Sequence, residues 1–507
     1  MTHPLGTITE VFDAVVGADP SRPALVTPTA RLTYAEVDSA ADRAAAALVE
    51  LGVAPGDRVA VSLPNDVEVV AAFHGVMRLG AVYVGVNRAL ADVEVADVLG
   101  ACAPAVFLAE DERADRHRGI CRTVPLGTTA AAAGRSWRDA TGAVSPVRFP
   151  APDQDAPAAI AFTSGTTGRP KGVVHSQRGL LLPAAALVSG CGYDSSLRKG
   201  DCLPLTILNM QVLTTLVTAR AGGCCLLTDR RDARGVAEWI HREGVNVWNS
   251  VPALLYDLVH DDHIAPELLR PLSDLWSGGG PCPEELLDAV RARFGLGVRQ
   301  TYGLTEAPTV VTIEGVGGAH VAGSSGTPLG HVEAVVLDRA GREVPTGELG
   351  EITVRASRIG PFAGMYRPTL GYWEDGGVRA LGSSELRTGD IGYLDAGGNL
   401  HVYDRKKLMI LRGGANVYPA EVERVIETLP GVRACAVLGL ADPRLGETVA
   451  AVVEVDTGCG LSGDDVTRHC RGALARYKVP ERVVLVDSLA RNAMGKIQRQ
   501  SLAALFD

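Results

Sequence analysis

Apolar positions recur at helical spacing over Tyr34 to Leu51, a stretch rich in alanine, and again over Asp66 to Leu79. Between them, Asp57 to Leu63 is a short aliphatic and β-branched run with the texture of a strand. The same exchange of periods continues through Ala105 to Leu108, Ala158 to Thr163, Gly223 to Leu227 and the helix-then-strand unit Val236 to Val251. Strands separated by helices return parallel to one another, so the pattern predicts a wound α/β domain with helices on both faces of its sheets. The absence of any repeat of about 20–50 residues removes solenoids and propellers.

After Gly323 the texture changes to short strands punctuated by Gly and Pro. Val332 to Leu337 and Gly350 to Arg355, separated by a turn at Pro345 to Gly347, predict a β-rich subdomain. Glu374 to Thr388 is Gly- and Ser-rich and reads as irregular, and Asp390 is expected on the tight Gly-containing turn that follows. A new α+β unit begins after Asp404: helix Ala420 to Leu429, strands Ala434 to Gly439 and Val449 to Val455, helix Asp464 to Ala475, strand Val483 to Val486. The boundary falls within Tyr403 to Lys407. The expected fold is therefore α/β: a large N-terminal domain, 1–403, of wound sheets plus the β-rich subdomain, and a small α+β domain, 404–507.

Composition narrows the function. With 507 residues, 46% hydrophobic and 21% charged, the chain is long enough for more than one core. A net charge of -10 with no Lys/Arg-rich block leaves no electrostatic footprint for nucleic acid. Apolar runs such as Leu180 to Val188 are far shorter than the roughly 20 residues of a membrane-spanning helix. Met1 to Glu10 has no basic region followed by an apolar core, so no secretory signal is expected. The 10 cysteines include no CxxC pair and no histidines at ligand spacing. They read as buried, reduced thiols of a cytoplasmic protein rather than a zinc site or a disulfide framework.

Candidate chemistry is densest directly after the apolar run Ala158 to Phe162, in Thr163-Ser164-Gly165-Thr166-Thr167-Gly168-Arg169-Pro170-Lys171-Gly172. A polyphosphate needs hydroxyl donors, backbone N–H groups left accessible by glycine, and a cation to balance its charge. This loop offers all three. It is not a Walker A loop, because GxxxxGK[ST] fails on spacing and on the residue after the lysine.

Five further motifs follow in order: Tyr302-Gly303-Leu304-Thr305-Glu306, Gly347-Glu348-Leu349-Gly350-Glu351, Thr388-Gly389-Asp390, the run from Arg412 through Gly413, Gly414 and Tyr418 to Glu423, and Gly495-Lys496-Ile497-Gln498-Arg499. Together with the loop, these resemble the adenylate-forming superfamily of acyl- and aryl-CoA synthetases, luciferases and peptide-synthetase adenylation domains. The resemblance covers nearly the whole chain. It implies ATP, Mg²⁺ and coenzyme A as cofactors.

The resemblance distributes the roles as follows. Thr163, Ser164, Gly165, Thr166, Thr167, Gly168 and Lys171 cradle the phosphates. Glu306 holds Mg²⁺, a hard cation that prefers oxygen ligands. Gly278, Gly279, Gly280 and Pro281 flank adenine with Tyr302, next to Gly303 and Thr305; a plain strand-to-helix turn is the rival reading for the glycines. Asp390 takes the ribose hydroxyls and Arg405 approaches the same nucleotide, a structural ion pair being the alternative for either. Lys407 is the hinge, although Asp404 stands where the family usually has glycine before the arginine. Lys496 bridges both reacting groups during adenylation, where charge builds at the α-phosphate. Gly413 and Gly414 then line a narrow pantetheine tunnel.

The acid pocket departs from the family. Where many acyl-CoA synthetases have an aromatic residue and a histidine after Leu-Pro-Leu, this chain continues Thr206-Ile207-Leu208-Asn209-Met210-Gln211. Thr206, Ile207, Asn209, Met210, Asn249 and Gly278 are the candidate lining, with Trp248 and Gln211 as further polar candidates; core packing is the competing reading for Ile207, Trp248, Asn249 and Gln211. No aspartate stands where amino-acid-activating relatives hold an α-amino group. His175 is read as structural. The expected reaction joins a small-molecule carboxylic acid to ATP as an acyl-adenylate and passes the acyl group to coenzyme A. The alternatives are the phosphopantetheine arm of an acyl carrier protein as acceptor, an atypical activation of a substrate such as nitrite, and a non-catalytic nucleotide-binding relative.

Overall fold

The computed structural model describes residues 5–128, 135–163, 170–280, 282–315, 319–405, 408–412, 415–456, 458–491 and 497–506. Among the described residues the alternating pattern becomes two large mixed sheets. One has nine strands; its parallel heart runs Val298–Leu304, Asp274–Ser277, Val247–Ser250, Arg198–Asp201, Cys224–Leu227 and Pro23–Val26. The other has eight strands, including Arg58–Ser62, Val82–Gly85, Pro157–Thr163 and Lys171–Ser176. Helices and apolar side chains fill the space around them in three apolar clusters, the largest of which includes residues of both sheets.

The alanine-rich helix shows why that composition was needed. Tyr34–Glu50 starts on a capping box, with Thr33 Oγ1 accepting from Glu36 N and the Glu36 carboxylate accepting from Thr33 N. Its Ala41, Ala44, Ala45 and Ala47 are fully buried, and it packs on Val67–Leu79. A Cβ added at Gly75 of the second helix would lie 2.6 Å from the Ala44 methyl. Only small side chains permit so close a crossing.

Residues 374–380 correct the sequence expectation. Part of the stretch read as irregular is a hairpin, Gly371–Glu374 with Gly377–Ala380, which extends the eight-stranded sheet through Lys171–Ser176. Its two-residue turn, Asp375-Gly376, has φ of 49° and 81°. Asp-Gly with both φ positive matches the twist of a two-residue hairpin. Asp390 also lies inside a strand, Leu386–Leu394, rather than on a turn; the neighbouring Gly389 alone takes a positive φ, 73°. That strand belongs to a four-stranded sheet with Val332–Leu337, Gly350–Ala356 and Leu400–Arg405, the expected β-rich subdomain.

The chain divides into two compact units, Met1–Ala334 with Val354–Leu386, and Val335–Thr353 with Arg387–Asp507. The second unit carries a five-stranded sheet around Val432–Asp442 and Gly446–Val455. Helices Pro419–Glu427 and Gly463–Ala473 pack together beside it, burying Val422, Ile426, Val466 and Cys470.

Candidate active site

In parallel sheets ligands gather beyond the carboxyl ends of the strands. Three such ends stand side by side in the nine-stranded sheet: Asp201, Ser250 and Ser277. The segment Gly278 to Gly280 leaves from the third. Thr301 Oγ1 donates to Ser277 O at 3.0 Å, and a Cβ on Gly278 would lie 2.5 Å from that same Oγ1. Gly279, at φ 82°, and Gly280 face open space. Thr301, the residue before the half-buried Tyr302, thus meets the start of this segment, while Pro281 lies outside the described residues.

Gly303 is fixed by close approach. Val298–Leu304 pairs antiparallel with Ala307–Ile313 through an irregular register at Leu304. A Cβ on Gly303 would stand 1.6 Å from Thr309 O, with Thr309 itself at φ 76°. The turn between these strands carries Thr305 and Glu306. The Thr305 carbonyl accepts from His175 Nε2 at 2.8 Å, and the Glu306 carbonyl accepts from Thr369 N at 3.2 Å. Thr369 Oγ1 in turn donates to Val174 O at 2.5 Å. The Glu306 turn is therefore bolted to the strand Lys171–Ser176. Burial holds His175 at a pKa of about 4, so it is a neutral donor. This agrees with its structural reading.

Thr163 ends the strand Pro157–Thr163 opposite Lys171, and its Oγ1 donates to Lys171 O at 3.4 Å. The Lys171 Nζ lies 3.3 Å from the centroid of the Tyr372 ring. Ser164, Gly165, Thr166, Thr167 and Gly168 lie outside the described residues.

The acid end is built differently. Thr206 is buried, its carbonyl 1.9 Å from where a Cβ on Gly85 would sit. Ile207 caps the short helix Leu208–Met210, which continues into a π-helical turn, Gln211–Leu216, a form common at functional sites. Asn209 and Met210 are half-buried. Gln211 is a core residue: its Nε2 donates to Leu205 O at 3.0 Å. Trp248 is likewise fully buried.

Asn249 is held by residues that the sequence reading did not single out. Lys199 Nζ donates to Asn249 Oδ1. Asn249 Nδ2 faces Asp201 Oδ2 at 3.4 Å and Met210 Sδ at 3.7 Å. Asp201 also accepts from Thr214 Oγ1 at 2.5 Å and from Leu203 N at 2.8 Å. Lys199 and Asp201 are both fully buried. Burial is the largest influence on each, lowering the lysine's pKa and raising the aspartate's, and each is opposed by the other's charge. Two charges spaced i, i+2 on one short strand before Leu203-Pro204-Leu205 were the available signal.

In the second unit, Thr388 Oγ1 donates to Ile352 O at 2.8 Å and accepts from Asp390 N at 3.0 Å. Asp390 is nearly buried and pairs with the exposed Arg405 at 3.1 Å. The alternative ion-pair reading is thus present, and it leaves the guanidinium accessible to a nucleotide. Asp404, the departure from glycine, has a local purpose: its Oδ2 accepts from Ala420 N at 2.8 Å at the start of Pro419–Glu427, and its Oδ1 from Arg405 N at 2.6 Å. Arg499 forks onto Glu423 at 2.5 and 3.0 Å and also donates to Val437 O at 2.9 Å. Lys407, Gly413, Gly414 and Lys496 lie outside the described residues.

Among the described residues no group of three or more His, Cys, Asp or Glu could hold a metal, and no helix is long and apolar enough to cross a membrane. A magnesium ion carried on phosphates needs only one or two carboxylates, which the single Glu306 can supply.

Comparison with known proteins agrees with this construction. Residues 12–365 match the family model "AMP-binding enzyme", and 421–496 match "AMP-binding enzyme C-terminal domain". The chain is 34% identical over 486 residues to the long-chain-fatty-acid–CoA ligase FadD13 of Mycobacterium tuberculosis, covering 93% of this chain and 92% of that one. It is 31% identical to the indoleacetate–CoA ligase of Aromatoleum aromaticum, covering 98% of each. The ATP-bound crystal structure of MatB from Rhodopseudomonas palustris superposes with a TM-score of 0.87 at 29% identity, covering 98% of this chain and 99% of that one. The chain therefore belongs to the family of AMP-binding enzymes, the adenylate-forming superfamily, as an acid–thiol ligase of the acyl-CoA synthetase kind that uses ATP, Mg²⁺ and coenzyme A.

Proposed function

We propose that this ligase activates a short or planar carboxylic acid, and that the residues identified above divide the work between two half-reactions. In the first, the acid's carboxylate attacks the α-phosphate of ATP; the P–O bond to pyrophosphate breaks and an acyl-adenylate forms. The hydroxyls of Thr163, Ser164, Thr166 and Thr167 and the ammonium of Lys171 hold the phosphates. Glu306 supplies a ligand for Mg²⁺, which neutralises phosphate charge when bound. Tyr302 and Gly278 to Pro281 take the adenine, Asp390 and Arg405 the ribose, and Lys496 orients the reacting oxygens. In the second, the thiol of coenzyme A attacks the acyl carbon and AMP leaves, with Gly413 and Gly414 beside the pantetheine arm. The C-terminal domain, 404–507, turns about Lys407 between the two. The ten unpaired cysteines of the whole chain suit a reducing, cytoplasmic setting.

The observation that carries the nucleotide reading is the bolt between the Glu306 turn and the strand that opens with Lys171, through His175 and Thr369. A carboxylate for the metal and a cation for the phosphates hang from one rigid joint. The acid class follows from the other end. Thr206 and Ile207 replace an aromatic gate, and Asn249 ties Met210 to the buried Lys199 and Asp201, which favours a compact acid over a long alkyl chain.

The test is pyrophosphate release across a panel of aryl, short-chain and long-chain acids, with and without coenzyme A. Release with compact acids, and thioester only when coenzyme A is present, is expected. Preference for long-chain acids would overturn the pocket reading. Thioester formation only on a carrier protein's phosphopantetheine would move the acceptor.

A further inference from the structure

Lys171 opens its strand immediately after the phosphate loop, where a lysine would ordinarily collapse onto the nearest carboxylate. Carboxylates are close. Lys171's charge helps to lower the pKa of Glu374, and Glu306's charge adds to the burial that raises the pKa of the Tyr372 hydroxyl. Yet among the described residues no ion pair engages Lys171. Two arrangements account for this. Glu374 is already occupied, gripped by Arg379 at 2.6 and 2.8 Å. The ammonium itself rests over the ring of Tyr372, 3.3 Å from its centroid, and the Arg379 guanidinium carbon lies 5.6 Å from the same ring. The ring is held in place by the backbone: Tyr372 pairs with Val173 on one side and Arg379 on the other.

An aromatic face attracts a cation without neutralising it or using up its N–H donors. We propose that Tyr372 is a positioning residue for Lys171, holding the ammonium extended and unpaired so that a polyphosphate meets it without first breaking a salt bridge. The inference rests on the reading of Lys171 as a phosphate-binding cation. It gives a role to a residue on the first strand of the hairpin, Gly371–Glu374. The aromatic face should matter and the hydroxyl should not.

The test uses the full-length enzyme and a non-hydrolysable MgATP analogue, with affinity read by calorimetry. Tyr372→Leu should weaken binding by roughly three- to tenfold, in keeping with the strength of one partly desolvated cation–π contact. Tyr372→Phe and Tyr372→Trp should stay within about twofold of the parent. In a Lys171→Met background, Tyr372→Leu should have no further effect. Equal losses in the Phe and Leu variants, or a full Tyr372→Leu effect in the Lys171→Met background, would overturn the proposal. A second readout is independent of nucleotide: the ¹³C-methylated Lys171 side chain should carry a ring-current shift that vanishes in Tyr372→Leu. Absence of that shift in the parent would overturn the platform itself. The shift without any MgATP binding would instead count against the nucleotide reading.

Discussion

Gly303 and Lys199 both lie on strands of the nine-stranded sheet, yet opposite means hold them. Gly303 is held by what it lacks: the Thr309 carbonyl occupies the space of a side chain, and the Glu306 turn is then fixed through backbone groups. Lys199 is held by what it has, an ammonium whose partners come from two other elements, Asn249 on the neighbouring strand and, through Asp201, Thr214 on the π-helical turn. The nucleotide end is thus defined by backbone geometry that any acid can share. The proposed acid end is held instead by a buried polar network of side chains.

The comparison breaks most easily at the network. Lys199→Met strands a buried carboxylate and should destabilise the enzyme by roughly 3–5 kcal/mol, read from denaturant unfolding. Lys199→Met combined with Asp201→Leu should recover most of that loss, because an apolar pair removes both desolvation costs. Where Lys199→Met is folded enough to assay, KM for the acid should rise and KM for ATP should not; an equal rise in both would erase the distinction between the two ends.

At the other end, Gly303→Val forces backbone apart beside Glu306. Acid-dependent pyrophosphate release should fall roughly a hundredfold or more, the scale of one lost preorganised contact. The acid preference of the residual activity should be unchanged. Full activity in this variant would mean that the close approach to Thr309 does not set the turn.

A smaller effect comes from His320, whose ring nitrogens lie 2.8 Å from Glu314 and 2.7 Å from Glu284. Burial opposes its charge, but both carboxylates outweigh burial and raise the imidazole pKa above its usual 6.5. Glu284 also accepts from Gly323 N, and Arg291's charge reaches it. A raised folded-state pKa places the stabilisation below the unfolded value and removes it as pH climbs through the folded one. Tm should therefore fall modestly with rising pH across that window, and His320→Gln should flatten the slope. A slope unchanged by His320→Gln would assign the pH dependence to other groups.

The same contrast decides what the sequence made legible. Helical and strand periods located Tyr34–Glu50, Val67–Leu79 and the C-terminal α+β elements to within a few residues, because each packs its apolar positions into a core. The nucleotide motifs were legible because glycine and hydroxyl residues recur at short spacing, where local geometry dictates type. The hairpin at Asp375-Gly376 was written in a two-residue turn signal that the surrounding glycines and serines concealed. Lys199, Asp201 and Thr214 were not legible, since their meaning depends on Asn249, some fifty residues away from Lys199 in the chain. Tyr372 was hidden similarly: its strand joins the sheet beside Lys171 only in three dimensions.

The central claim is that one lysine on the C-terminal domain serves adenylation and not thioester formation. The direct measurement is the rate of each half-reaction, separately, in Lys496→Ala. Adenylate formation from acid and MgATP should fall by about a hundredfold or more. Thioester formation from supplied acyl-adenylate and coenzyme A should remain close to the parent rate. Equal losses in both half-reactions, with the fold intact, would contradict the account.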